Sequence, residues 1–174
     1  NVASISGSIM CGSSGSMCSE TVNHGTTRTL SATPGANSVF AGWSLPECPG
    51  TGPCVVSITS DVTVVALFER APHVLTVAKG GTGTGTVVSN VAGISCGADC
   101  DEAYLHGDVI LLTATASADS DFTGWSGAGC GMSMQCMVTL NQAQTVTAQF
   151  TLKQYTLTVT KPGNGAGTVA STPT

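Results

Sequence analysis

The sequence predicts an all-β protein built from tandem small domains that are stapled by disulfides. Short apolar stretches are separated by glycine-containing turns, and no segment shows a sustained helical period. The composition agrees, because 41% of the residues are hydrophobic, only 9% are charged and 22 are glycines. Such a chain is typical of short β-strands joined by glycine turns, and we predict about six strands in each repeat.

Aromatic, glycine and cysteine residues recur at a constant spacing of 82 positions. One set comprises Phe40, Gly42, Trp43, Cys48, Cys54 and Phe68, with the copies Phe122, Gly124, Trp125, Cys130, Cys136 and Phe150. A second set comprises Leu75, Val77, Lys79, Gly83, Gly85 and Val87, with the copies Leu157, Val159, Lys161, Gly165, Gly167 and Val169. Such self-similarity is the signature of tandem structural units. We therefore divide the sequence into unit 1 (1–72), which lacks a first strand, the complete unit 2 (73–152) and a tail (153–174) that repeats an opening hairpin.

Six stretches of unit 2 are predicted to be strands: residues 74–79, 86–89, 109–115, 122–126, 135–140 and 145–151. The glycine-rich residues 80–85 join the first two as a hairpin, because glycine adopts positive φ without steric cost. The side chains predicted to fill the cores are Phe40, Trp43 and Phe68 in unit 1, and Phe122, Trp125 and Phe150 in unit 2. Domains of about 80 residues are marginal on hydrophobic burial alone, so cross-links are expected.

The eight cysteines fall into four close pairs, which indicates a disulfide framework. These pairs are Cys11 with Cys18, Cys48 with Cys54, Cys96 with Cys100, and Cys130 with Cys136. Bonds within each pair are favoured, while bonds between the two cysteine loops of one unit would close larger rings and stay open as an alternative. A disulfide framework indicates an oxidising compartment, so we expect an extracellular or cell-surface protein.

The charge distribution argues against a nucleic-acid-binding protein. The net charge is −5, and the five lysines and arginines are scattered along the chain. A nucleic-acid binder would concentrate basic residues on one face. No apolar run approaches the roughly 18 residues that a membrane span requires, so none is predicted.

Candidate metal or catalytic sites are weak in this sequence. His24 and His106 each precede a glycine and are interpreted as turn residues, although a neighbouring glutamate would complete a pair of metal ligands. Acidic residues around Asp99 and Asp119 offer at most one weak calcium site, in unit 2. The sequence contains no nucleophile elbow, phosphate loop or haem-attachment motif. We expect no cofactor, no bound metal and no enzyme activity.

Unit 2 resembles the divergent internalin-B-type repeat (InlB B-repeat), on the stretches LTVAKGGTGTGTVVS, ISCGADC, GDVILLTATA, FTGWSGAGC and VTAQF. Residues 2–68 of unit 1 and residues 155–173 of the tail carry the same resemblance. The resemblance implies a tandem, extracellular, non-catalytic β-module of bacterial surface and secreted proteins. Such modules are used in stalks, adhesins and surface assemblies.

The predicted function is that of a structural subunit in an extracellular filament or surface stalk. The tail repeats the strand that unit 1 lacks, so we expect it to complete unit 1 of another copy and give a head-to-tail polymer. The residues of this predicted polymerisation strand are Tyr155, Leu157, Val159, Lys161 and Val169. The alternatives are a fragment of a longer covalent tandem array, and an adhesin or glycan-binding module whose tryptophans would stack on sugars. The expected partners are copies of the chain or further repeats, together with glycans or a cell-surface component.

Overall fold

The structure is a computed structural model, and it describes residues 1–5, 7–13 and 15–172. Every regular element in these residues is a β-strand, so the predicted all-β class is confirmed. Unit 1 contains β1 (Val2–Ser4), β2 (Met10–Gly12), β3 (Gly15–Met17), β4 (Thr26–Ala32), β5 (Ser38–Trp43), β6 (Cys54–Ile58) and β7 (Ala66–Arg70). Unit 2 begins with β8 (Pro72–Gly81), β9 (Gly85–Ser89), β10 (Ser95–Cys96) and β11 (Asp101–Leu105). It continues with β12 (Val109–Ala116), β13 (Ser120–Ser126), β14 (Gln135–Thr139) and β15 (Gln144–Leu152).

Unit 2 is a sandwich of two four-stranded sheets. One sheet has the order β10-β9-β12-β14 and the other has the order β11-β8-β15-β13. All pairings are antiparallel except that of β8 with β15, which is parallel. Alternate residues of each strand point inward: Ile110, Leu112 and Ala114 of β12 share one buried cluster with Val146 and Phe150 of β15. The alternating apolar side chains of the strands thus fill the space between the two sheets.

Unit 2 has eight strands where the sequence predicts about six. The additional strands, β10 and β11, lie in the segment predicted to be a cysteine loop. The disulfide between Cys96 and Cys100 reverses the chain there, and Ser95 pairs with Asp99. The following strand β11 then pairs along β8 and buries Tyr104.

Unit 1 differs from unit 2 in both sheets, because one sheet is extended by β3 and the other is reduced to two strands. Its five-stranded sheet has the order β3-β2-β1-β4-β6, while β5 and β7 form a separate two-stranded sheet. Its buried cluster consists of Leu30, Cys48, Cys54 and Val56. This core is much smaller than that of unit 2, although the two sequences follow the same repeat.

The Phe-x-Gly-Trp motif forms a β-bulge in both units. The pairing of β5 with β7 shifts register between Phe40 and Gly42, and the pairing of β13 with β15 shifts between Phe122 and Gly124. The φ angle is 141° at Gly42 and 139° at Gly124. Since L side chains rarely adopt such angles, the bulge requires glycine.

Among the described residues no helix is long and apolar enough to cross a membrane. The two units follow one another directly, since only Ala71 separates the last strand of unit 1 from the first strand of unit 2.

Candidate strand-acceptor site

The outer edge of β7 is the main structural difference between the two units. In unit 2 the equivalent strand β15 lies between β13 and β8. In unit 1 β7 pairs with β5 on one side only, and no strand of the described residues pairs with its other side. The exposed backbone N–H and C=O groups of such an edge are a template for another strand.

The open edge shortens the strand and loosens the core beside it. The nine-residue β15 becomes the five-residue β7, because Gln144, Thr145 and Val146 of β15 pair only with β8. Their counterparts in unit 1, residues 62–64, are not in a strand. Val146, Ala148 and Phe150 are fully buried, whereas the matching side chains in unit 1 are only half-buried. Those matching residues are Val64, Ala66 and Phe68.

Strand β8, which pairs with β15 in unit 2, shows what kind of strand the β7 edge of unit 1 would accept. Its parallel ladder with β15 runs from Leu75 opposite Gln144 to Gly81 opposite Phe150. Leu75 and Val77 point into the core, where their exposed fractions are 0% and 2%. At Gly81, with φ 94°, an added Cβ would collide with the Phe150 carbonyl oxygen. The edge therefore takes a strand with two inward aliphatic residues followed by glycine.

The tail carries this pattern and leaves it in solvent. Residues 153–172 pair with no strand in the described chain, and every one of them is exposed. Leu157 and Val159, which match Leu75 and Val77, are 87% and 60% exposed. Tyr155 and Val169 are likewise exposed. All the predicted polymerisation residues thus lie on one unpaired segment.

The tail repeats two features of the turn between β8 and β9. These two strands lie in different sheets and do not pair with each other, so the hairpin predicted for them from the sequence is wrong. Lys161 Nζ donates a hydrogen bond to the carbonyl of Gly167 at 3.0 Å, as Lys79 Nζ does to that of Gly85 at 3.2 Å. Gly163, the counterpart of Gly81, has a φ of 122°. Leu157, Val159 and Val169 line a shallow groove between the two arms. The turn exists without the flanking sheet.

The repeat seen in the geometry is also recognised at the level of protein families. A family model for the divergent InlB B-repeat domain matches residues 2–72 and 73–154. The chain belongs to this family. No curated protein and no solved structure matches it. The tandem InlB B-repeat organisation suggests a surface repeat protein, and the four disulfides are compatible with an extracellular location.

All eight cysteines of this InlB B-repeat chain form bonds within their close pairs. The bonds join Cys11 to Cys18, Cys48 to Cys54, Cys96 to Cys100, and Cys130 to Cys136. The alternative bonds between the cysteine loops of one unit do not occur. Cys54, Cys96 and Cys136 lie in the buried clusters, so the bonds also contribute to packing.

The six aromatic side chains predicted for the cores of the two InlB B-repeats differ in burial. Phe150 and Trp125 are buried, and Phe122 packs against them from the margin. In unit 1 Phe40 contacts both Trp43 and Phe68, and all three side chains are only half-buried. The prediction of an enclosed aromatic core therefore needs correction for unit 1, where no β8-like strand covers the sheet in the described residues.

The tryptophans of the two repeats have their polar groups engaged inside each unit. Trp43 Nε1 donates to the Gly52 carbonyl at 2.7 Å, and Trp125 Nε1 donates to the Ser133 carbonyl at 2.8 Å. Each contact ties the bulged strand to its cysteine loop. A sugar-stacking role would require an open indole face, which Trp125 at 8% exposure does not offer.

No group of three or more His, Cys, Asp or Glu side chains in residues 1–5, 7–13 and 15–172 is arranged to hold a metal ion. Glu20, a candidate partner of His24, instead pairs with Arg28 at 2.7 Å. The Arg28 hydrogen bond lowers the pKa of Glu20, and the Ser8 N–H adds to the effect against the opposing influence of desolvation. The acidic residues around Asp99 and Asp119 belong to no such group.

A cluster at the junction of the two InlB B-repeats is not foreseen from the sequence. Arg70 of β7 donates to Asp108 Oδ1 at 2.6 Å and to the His106 carbonyl at 2.9 Å. His106 Nδ1 lies 3.2 Å from His73 Nε2. Arg70 lowers the pKa of Asp108 by hydrogen bonding, and the Leu105 N–H adds to the effect while desolvation opposes it. The turn before β12 is thereby fastened to the end of unit 1.

Proposed function

We propose that this chain is a structural subunit of an extracellular bacterial filament or surface stalk, in which the tail strand of one copy completes unit 1 of the next. The role is mechanical and does not involve catalysis. The observation that carries the proposal is the match between the open edge of β7 and the unpaired residues 155–161. The tail exposes Leu157 and Val159, whereas their counterparts Leu75 and Val77 in β8 are buried beside β15.

The register of unit 2 gives the expected register of the junction. Leu75 opposite Gln144 translates into Leu157 opposite Val62, and Val77 opposite Val146 translates into Val159 opposite Val64. Leu157 and Val159 then enter the half-open core of unit 1. Full burial of two aliphatic side chains contributes roughly 3–6 kcal/mol before the cost of association.

The shape of the tail further supports the proposal. The bond from Lys161 to Gly167 and the positive φ of Gly163 reproduce the β8–β9 turn before any partner is bound. Pre-organisation reduces the entropy that ordering costs on binding. Head-to-tail addition of this kind does not close on itself and gives an open fibre.

A second candidate is a longer covalent array, in which a preceding repeat of the same polypeptide fills the β7 edge. The tandem family match and the single-residue connection between β7 and β8 favour this arrangement. Both candidates require the edge to accept a β8-like strand. They differ in whether that strand comes from another molecule.

Fibre formation by the 174-residue chain tests the strand donation. The double variant Leu157→Asp/Val159→Asp is expected to abolish fibres in negative-stain microscopy, because it would place two carboxylates in an apolar core. The matched control is Thr156→Asp/Thr158→Asp, which adds the same charge to the positions that match Val74 and Thr76 and face outward in β8. The control is expected to assemble.

Deletion of residues 153–174 gives the complementary test. Ordinary fibres of the truncated chain would contradict donation by the tail. Intact mass of the native protein separates the two candidates, since a polypeptide mass far above 17.3 kDa after glycan removal would favour the covalent array.

A further inference from the structure

All five methionines of the chain lie at its surface. Their exposed fractions range from 54% at Met17 to 83% at Met132. Neither buried cluster of the described residues contains a methionine. Methionine is an apolar residue that commonly fills gaps in protein cores, so this distribution is unusual.

The repeat shows that the fold does not require these side chains. The residues at the matching positions of the other unit are Ser95 and Asp99 for Met10 and Met17, and Gly50, Gly52 and Val55 for Met132, Met134 and Met137. Most of the counterparts are small or polar. In both units the two positions of the first cysteine loop pair across a turn, Met10 with Met17 and Ser95 with Asp99. The second loop spans six positions in both units. These shared features form with or without methionine.

The methionines group around two disulfides. Met10 and Met17 stand directly opposite each other in the β2–β3 hairpin, which the Cys11–Cys18 bond closes. Met132 and Met134 lie inside the loop closed by Cys130 and Cys136, and Met137 follows it. Since every cysteine is in a disulfide, no thiol competes for an oxidant.

We propose that these five methionines are oxidation sites, which consume peroxide-class oxidants at the surface while the fold stays intact. The thioether sulfur attacks one oxygen of hydrogen peroxide, the O–O bond breaks, and the peroxide proton passes to the departing oxygen, which leaves as water. Sulfur gains one oxygen and loses two electrons to the peroxide. The product is methionine sulfoxide, which methionine sulfoxide reductases convert back.

Exposure explains why the fold tolerates this change. Sulfoxidation makes an apolar side chain polar and disrupts a protein when the residue is packed in a core. Here the sulfur atoms belong to side chains that are already more than half exposed, so no buried contact is lost. The two disulfide-closed surfaces become polar, while the strands beneath them are unchanged.

Treatment of the whole chain with hydrogen peroxide tests the proposal. We expect the intact mass to rise by five oxygen atoms, at rates within about a factor of two of those in guanidinium, because susceptibility follows exposure. Tryptophan fluorescence and near-ultraviolet circular dichroism should stay native throughout. Oxidation that stops short of five oxygens in the native chain, or a loss of the native spectra as oxygen is taken up, would overturn the proposal.

Two variants show which methionines take up the oxygen atoms, and their melting temperatures show whether each variant is folded. Met10→Leu/Met17→Leu is expected to take up three oxygens, and Met132→Leu/Met134→Leu/Met137→Leu is expected to take up two. Both should melt within about 4 °C of the parent chain, since substitutions at exposed positions have small effects on stability. Uptake of five oxygens by either variant would place the oxidation on other residues and refute the assignment.

Discussion

Phe150 is fully buried, whereas Phe68, its counterpart 82 residues earlier, is only half-buried. The two side chains occupy the same place in the same motif, and each faces the phenylalanine of a bulged strand. The difference comes from the strand β8, which covers Phe150 and has no equivalent over Phe68 in the described residues. The sequence motif alone does not decide burial, because an adjacent strand is also required.

A peptide copy of residues 153–167 is therefore expected to stabilise unit 1 of a chain that lacks the tail. At a peptide concentration of 100 times the dissociation constant the gain would be about 2.7 kcal/mol. In the variant Trp125→Phe, Trp43 fluorescence would show a urea midpoint that rises with peptide concentration. The same peptide with Leu157→Asp and Val159→Asp is the control, and equal stabilisation by both peptides would contradict the proposed register.

The two units are expected to unfold separately, with unit 1 first. Unit 2 gains roughly 3–6 kcal/mol from Leu75 and Val77 of β8, which unit 1 lacks in this structure. Single-tryptophan variants make the comparison direct: Trp125→Phe leaves Trp43 as the probe of unit 1, and Trp43→Phe leaves Trp125 as the probe of unit 2. Coincident urea transitions in the two variants would indicate one cooperative unit instead.

Loss of a local disulfide is expected to cost each unit about 2 kcal/mol, because these bonds close short loops. The matched variants are Cys48→Ala/Cys54→Ala in unit 1 and Cys130→Ala/Cys136→Ala in unit 2, since both bonds span six positions. Because unit 1 has the smaller core, its variant should have a lower urea midpoint of unfolding than the unit 2 variant. A larger urea tolerance in the unit 1 variant would show that core size does not set the order.

The β-bulge at Gly124 predicts that an added methyl group at this position lowers the stability of unit 2. Gly124→Ala should destabilise unit 2 by about 1–3 kcal/mol, since alanine would be strained at a φ of 139° and its Cβ would lie 3.1 Å from the Gly131 carbonyl oxygen. Gly35→Ala is the control, because no atom lies within 4 Å of its added Cβ. Urea unfolding followed by the tryptophan of each unit measures both, and equal losses would contradict the role of the bulge.

The ion pair between Arg70 and Asp108 predicts a dependence on pH. The folded-state pKa of Asp108 lies below its ordinary value of 3.8, so the pair is fully present above pH 3.8 and is lost as the pH falls through that lower pKa. Asp108→Asn should loosen the junction at neutral pH, which small-angle scattering would detect as a broader distribution of end-to-end distances. An unchanged distribution would show that the pair does not hold the two units together.

Much of the fold follows from the sequence because its signals are local. Alternating apolar residues, glycine turns and close cysteine pairs specify the β class, the repeat and the candidate disulfide partners. Tyr104 and the strand β11 are missed, because a short strand with Asp101 and Glu102 at its start has little apolar alternation. The contact of Arg70 with Asp108 joins residues 38 positions apart, and no local pattern encodes such a distance.

The sequence predicts the donor strand and the unit that accepts it, but not the edge at which the two would pair. The tail strand is visible in the sequence as a copy of β8, so Leu157 and Val159 can be named directly. The acceptor is different, since residues 62–70 read as an ordinary final strand. That its first half is irregular and its core half-open depends on a neighbour in space, and only the structure reveals it.

The ion pair between Arg70 and Asp108 has no counterpart at the boundary that follows unit 2. Leu152 stands in the place of Arg70, and Thr26 stands in the place of Asp108, so neither charge would be present where a tail enters another copy. In the proposed fibre two kinds of joint would then alternate, one that includes an ion pair and one formed by strand pairing and apolar contacts without an ion pair. Bending under load would concentrate at the joints between copies, which have no ion pair. Salt or acid would weaken only the joints within each chain, where Arg70 pairs with Asp108.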